Sequence, residues 1–182
     1  SDIKRRISLA SLALGRLKQK VLSNRNITVQ LKIRWYYALI VPIAIYASET
    51  WTLLAEDERK LQAFEMRCLR TILGVSLRDH IRNERIRKLL NINSTIIDII
   101  RKKRLQWFGH ITRQPDSHFT RTVYKQEFKG KRPRGRPPKR WSDQIKMDTG
   151  LPLLTAERSC QEREKWRNIV MKNVARLSGV CK

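Results

Sequence analysis

Apolar residues recur along this chain at spacings of three and four, and no stretch of six alternates strictly between apolar and polar. That pattern suits helices and gives a strand no half-buried face, so the predicted fold class is all-α, a helical bundle. Ile3, Ile7, Ala10, Leu14, Leu17 and Val21 share one face of a first helix, with Lys4, Arg5, Arg16 and Lys18 on its other faces. Ser23-Asn24-Arg25-Asn26 is a turn cluster, after which Thr28 can cap a second helix running to about Ser48. Its apolar run from Trp35 to Ala47 has thirteen residues and contains Pro42. That is too short to span a bilayer, and it predicts a buried core helix kinked at the proline.

A third helix is predicted from about Glu56 to Leu73, with Glu56, Asp57 and Glu58 in the turn where the helix dipole favours acids. Leu61, Phe64, Cys68, Leu69 and Ile72 make its apolar stripe, and Gly74 is its natural stop. Asp79 then caps a short basic helix through Leu90, and Asn93 or Ser94 begins a long one carrying Ile96, Ile97, Ile100, Trp107, Phe108 and Ile111. Further on, Trp141 to Met147 is a short helical turn, and Thr155 or Ser159 starts a last helix through Leu177. The implied organisation is a bundle over residues 1–92, a helical extension over 93–127, a basic arm over 128–140 and a C-terminal helical unit over 141–182. The helices before residue 128 are expected to form one cooperative core that buries Trp35, Leu39, Phe64 and Trp107. Because the sequence opens on Ser1, already inside a helical pattern, it reads as a piece of something longer.

Charge constrains the partner. Forty Lys and Arg against sixteen Asp and Glu give a formal charge of +24, and the first forty-eight residues hold a single acid, Asp2. Such an excess repels itself and calls for a polyanion. Two clusters stand out beside the first helix. Arg101-Lys102-Lys103-Arg104 wraps a helix, so two or three of the four could reach phosphates. Trp107 beside it could stack on a base, although its periodicity with Ile100 and Ile111 favours the core for Trp107 and Phe108.

The second cluster is Lys129 to Arg140, in which seven of twelve residues are Lys or Arg, three are Pro and two are Gly. Proline and glycine forbid a helix there, and like charges extend the chain. Arg134-Gly135-Arg136-Pro137, flanked by Lys129, Lys131, Arg132, Lys139 and Arg140, resembles the AT-hook, whose Arg-Gly-Arg core lies in the narrow minor groove of A·T-rich DNA. The same string also reads as a phosphate-binding tether or a solvated linker.

Constellations for chemistry are absent from the sequence. No paired carboxylates stand in a strand-turn context able to hold two magnesium ions, and neither a phosphate-cradling glycine loop ending in Gly-Lys-Ser/Thr nor a His-Glu-x-x-His string occurs. Cys68, Cys160 and Cys181 are widely spaced, which suits a reducing compartment and gives no disulfide framework, and no histidine sits at metal-ligand spacing from them. No catalytic, metal or cofactor site is therefore expected in this chain.

Five strings, taken in order, resemble one family. Tyr46-Ala47-Ser48-Glu49-Thr50-Trp51-Thr52-Leu53 is similar to the Y-G-S-E-T-W-T-L string of non-LTR, LINE-type retrotransposon reverse transcriptases. The others are Ala63-Phe64-Glu65-Met66, Arg104-Leu105-Gln106-Trp107-Phe108-Gly109-His110-Ile111, Gly135-Arg136-Pro137-Pro138-Lys139-Arg140-Trp141 and Glu164-Lys165-Trp166-Arg167. Ala47 replaces the family's usual glycine. The resemblance implies the thumb and C-terminal extension that follow the polymerase palm of an endonuclease-bearing RNA-directed DNA polymerase. Magnesium and the catalytic aspartates would then belong to that upstream palm of the same polyprotein, and the family's Cys/His zinc knuckle is missing here. It further implies RNA and DNA as partners, in a template-primer duplex, no membrane, and a nuclear location with a cytoplasmic ribonucleoprotein phase. The alternative is a stand-alone chromatin protein using the arm as an AT-hook. A basic structural protein of a ribonucleoprotein particle would account for the charge but not for the ordered strings.

Overall fold

The structure, a computed structural model, describes residues 2–126, 134–135 and 138–177, with side chains through residue 173. It is all-helical, with no strand among the described residues. The chain groups into two compact units, residues 1–47 with 53–99, and residues 48–52 with 100–182. The sequence places a boundary near residue 92, whereas this division falls between Ile99 and Ile100, inside a continuous helix.

In the first unit, α1 (Asp2–Leu17) buries Ile3, Ala10 and Leu14 and continues as a wider π-helical turn over Lys18–Leu22. After a turn in which Asn24 Oδ1 accepts from the Asn26 N–H, Thr28 caps α2 (Val29–Trp35), its hydroxyl accepting from the Leu31 N–H at 3.4 Å. The predicted second helix then widens into a π turn over Tyr36–Ile40 before α3 (Val41–Ala44), whose first turn holds Pro42. Proline has no N–H to give the carbonyl four residues back and its ring crowds that carbonyl. A turn of wider bore just before it relieves both problems.

α4 (Ala55–Leu73) buries the whole predicted stripe of Leu61, Phe64, Cys68, Leu69 and Ile72. Its start is tied by the Leu54 N–H donating to Asp57, and it stops at Gly74, where φ is +73°. α1 packs on α3 and α4, and α4 packs on α2 and α5 (Asn83–Leu89). Asp79 does not cap α5; its carboxylate accepts from the Ser76 N–H and closes a single 3-10 turn over Leu77–Asp79. The long helix α6 (Ile96–Thr112) is capped by Thr95 rather than Asn93 or Ser94. Thr95 Oγ1 accepts from the Asp98 N–H at 3.2 Å while Asp98 accepts from the Thr95 N–H at 2.8 Å. Glu65, 2% exposed, adds a third tie by accepting from the Ile96 N–H at 2.9 Å and pairing with Arg87 at 2.5 Å. Burial outweighs Arg87 and raises the Glu65 carboxyl above its ordinary value.

Two expected core residues of the second helix are not core. Leu39 is 48% exposed and Trp35 is half-buried, while Tyr36 and Ile40 fill the interior. Leu39 lies within the π turn, which rotates the register in a way that a count at 3.6 residues per turn does not anticipate, and Trp35 ends α2 just before it.

The second unit holds the remainder of α6, α7 (Phe119–Lys125), α8 (Trp141–Thr149), α9 (Leu153–Gln161) and α10 (Arg163–Leu177). The predicted last helix is thus two helices, broken at Glu162, whose backbone is extended. Phe108 centres this core, with the rings of Trp166, Tyr124 and Trp141 at 5.7, 6.0 and 6.0 Å, and Leu105, Ile145, Cys160 and Val170 packed around them. Each such aromatic pair adds about 0.5–1.5 kcal/mol beyond the area it buries.

Candidate nucleic-acid interface

Lys4, Arg5 and Arg16 on α1 and Lys18 at the start of the π turn are all exposed, as the apolar stripe requires. Arg6, beside them, pairs with Asp2 at 3.6 Å and lies 4.4 Å over the Tyr46 ring. Its charge is therefore matched by Asp2, the only acid of the first forty-eight residues. Lys4 also lines a groove of about 910 Å³ together with Arg59, Lys60, Arg67 and Arg70 of α4. Phe64 and Met66 form its apolar floor, and no carboxylate contributes to the lining.

The α4 cations are held in place. Arg67 donates to the Ser11 hydroxyl, and Arg70 Nη2 donates to the Ile81 carbonyl at 3.1 Å and to Asn83 at 2.8 Å. Lys60 pairs with Glu56, which its hydrogen bond holds below the usual carboxylate range. A positively charged trough with an apolar floor suits a polyanion whose phosphates meet the rim. Arg59, Arg67 and Arg70 were not singled out from the sequence. Their spacings of eight and eleven from Arg59 do put them on one side of α4, but periodicity alone does not separate a groove from a solvated face.

The Arg101 to Arg104 cluster divides. Arg104 is 0% exposed, its Nη1 donating to Gln144 Oε1 at 2.6 Å and to Asp148 Oδ2 at 2.8 Å. Arg101 lies 3.6 Å from the other oxygen of Asp148. Both were expected at phosphates; Arg104 is instead a buried strut of the second unit and Arg101 is largely committed to the same acid. Sequence counting sees the charges but not a carboxylate more than forty residues downstream. Lys103 is exposed and Lys102 half-buried, leaving two cations of the four for a ligand. Trp107 is half-buried, not core, and stacks on exposed His110 with centroids 5.3 Å apart and planes 17° from parallel.

Within the basic arm, Arg134 and Gly135 are exposed, and Gly135 has φ of +109°, a region that favours glycine. Lys139 is half-buried. Arg140 is exposed, and its N–H donates to Asp143 at 3.0 Å to begin α8. Lys129, Lys131, Arg132 and Arg136 lie outside the described residues.

Residues from four of the five strings meet in the second unit. Trp141 Nε1 donates to the Glu49 carbonyl at 2.8 Å, and Trp166 Nε1 donates to the Leu105 carbonyl at 3.0 Å. Gly109 is required by the second contact, since a Cβ there would stand 2.6 Å from Trp166 Cδ1. Ala47 has φ of +57°, in the left-handed region that favours glycine.

Among the described residues no group of three His, Cys, Asp or Glu side chains could hold a metal ion, and no helix is long and apolar enough to cross a membrane. Cys68 and Cys160 are buried free thiols. No family model, curated protein or solved structure matches the chain.

Proposed function

We propose that this chain grips nucleic acid by its phosphates, as the thumb and C-terminal region of a LINE-type retrotransposon reverse transcriptase. The observation that carries the reading is the carboxylate-free groove between α1 and α4, with Lys4 and four further cations on its rim. Arg5, Arg16 and Lys18 extend its charge along α1. Support for the family comes from the strings of resemblance, which supply Phe108, Trp141 and Trp166 of the second unit's aromatic core and the glycine, Gly109, that leaves room for the Trp166 indole. A left-handed backbone at Ala47 is what a family glycine would serve.

On this reading the chain performs no chemical step. Its contribution to polymerisation is positional, holding a template-primer duplex so that a 3′ end stays over magnesium and aspartates carried by a palm upstream. Lys102, Lys103 and the arm add phosphate contacts, and the work takes place in the nucleus after a cytoplasmic ribonucleoprotein phase.

The test is affinity for duplex DNA, duplex RNA and RNA–DNA hybrid across a salt series. Binding that falls with a log–log slope steeper than about −4, as five or more released counterions require, is the expected outcome. Affinity indifferent to salt would overturn the reading. The exposed Gly135 at φ +109° favours a second reading, an AT-hook. Under it, Gly135→Ala weakens A·T-rich duplex binding and spares G·C-rich duplex, whereas a tether loses nothing.

A further inference from the structure

Lys32 stands inside α2 and is 7% exposed, yet its ammonium has neither an ion pair nor a hydrogen bond among the described residues. A lysine can pack its aliphatic stem among apolar neighbours and still present its ammonium to the space it lines, so here the charge is delivered into a cavity rather than to an acid. The side chain lines a pocket of about 720 Å³ within the first unit. Lys18 and Arg25 line it too, along with Ser76 and the turn at Gly74 that ends α4. The lining holds one carboxylate, Asp79, whose Oδ2 already accepts from the Ser76 N–H at 2.6 Å. Three cations therefore line the pocket against one acid, and Lys32 is the one whose side chain is mostly covered.

We infer that this pocket is a phosphate site, and that it takes one phosphate of a nucleic-acid strand with Lys32 at its base and Lys18 and Arg25 at its mouth. The choice of a nucleic acid rests on the proposed function; the phosphate itself rests on the pocket. Lysine offers a compact point charge and arginine a fork that matches two phosphate oxygens, so the set is suited to a compact anion carrying several oxygens. Lys18 begins the π turn that continues α1 and also lines this pocket, so the exposed cations of the first helix run on into it. The pocket exceeds a lone phosphate and leaves room for the attached sugar.

The experiment compares the full chain with its Lys32→Met and Lys18→Met variants. It measures melting temperature, affinity for an RNA–DNA hybrid over a salt series, and the amide resonances of residues 74–76 during titration with pyrophosphate. Lys32→Met is expected to melt no lower than the parent and to bind hybrid about tenfold more weakly, as loss of one charge-assisted contact implies. Its salt slope should be shallower by about 0.7–0.9. Pyrophosphate should shift those resonances in the parent and not in the variant. Lys18→Met, an exposed change, is expected to show the same trends more weakly and carries the test should Lys32→Met fail to fold. Equal affinity and equal slope in both variants would overturn the pocket while leaving the nucleic-acid reading intact. Should the parent bind no hybrid, that reading falls alone: pyrophosphate shifts abolished by Lys32→Met would still establish a phosphate site, and no shift would end it.

Discussion

Two small residues show how much a single Cβ can decide. Ala47 sits at φ +57°, where an L side chain crowds the following carbonyl at a cost of about 1–2 kcal/mol. Glycine removes that strain but gives back about 0.4–1 kcal/mol through a freer unfolded chain. Ala47→Gly should therefore stabilise the protein by about 0.5–1 kcal/mol, read as a higher urea midpoint with unchanged slope. At Gly109 the sign reverses. A methyl there meets the Trp166 indole, and moving the indole breaks its hydrogen bond to Leu105. Gly109→Ala should cost about 1–3 kcal/mol, the range for overpacking a close-fitted core, and shift tryptophan emission to the red as the ring is wetted. Neither requirement is visible in the hydrophobic pattern. Only the family strings pointed to these positions.

At the scale of elements, residue spacing revealed the helices whose stripes repeat at three and four, and α4 is the clearest case, with its acidic first turn, its apolar stripe and its Gly74 stop all in place. It failed where the period itself changed. The π turn before Pro42 turns Leu39 outward, and the extended backbone at Glu162 splits one expected helix into α9 and α10. It failed again where a charge was neutralised from a distance. Arg104 looks like its three basic neighbours in sequence, and only the packing of α8 against α6 reveals Asp148. This pair predicts an asymmetry. Asp148→Ala strands a buried guanidinium and should cost about 3–5 kcal/mol, whereas Arg104→Met, which leaves Asp148 with Arg101, should cost much less. Urea denaturation of the two variants checks it, and a larger loss for Arg104→Met would contradict the assignment.

At the scale of the whole chain, the residues group into two units, each with its own buried thiol, Cys68 in the first and Cys160 in the second. Burial pushes Cys68 up to about 12 and Cys160 up to about 11, so at pH 8 both stay protonated and unreactive in the folded state. In a Cys181→Ser background, thiol labelling should proceed only through opening, with two distinct rates if the units open separately and one if they open together. The sign of the pH effect follows. Folded thiols keep their protons above the ordinary value of 9.0 while unfolded ones lose them, so stability should fall as pH rises from about 9 toward 12. A melting temperature flat over that window would contradict the burial. The division also partitions the chromophores. Trp51, Trp107, Trp141 and Trp166 all belong to the second unit and Trp35 alone to the first, while three of the four tyrosines, Tyr36, Tyr37 and Tyr46, belong to the first. The molecule is thus optically two-coloured: light absorbed by indole alone reports mostly on the second unit, and phenol absorbance near 280 nm adds the first, with no label attached.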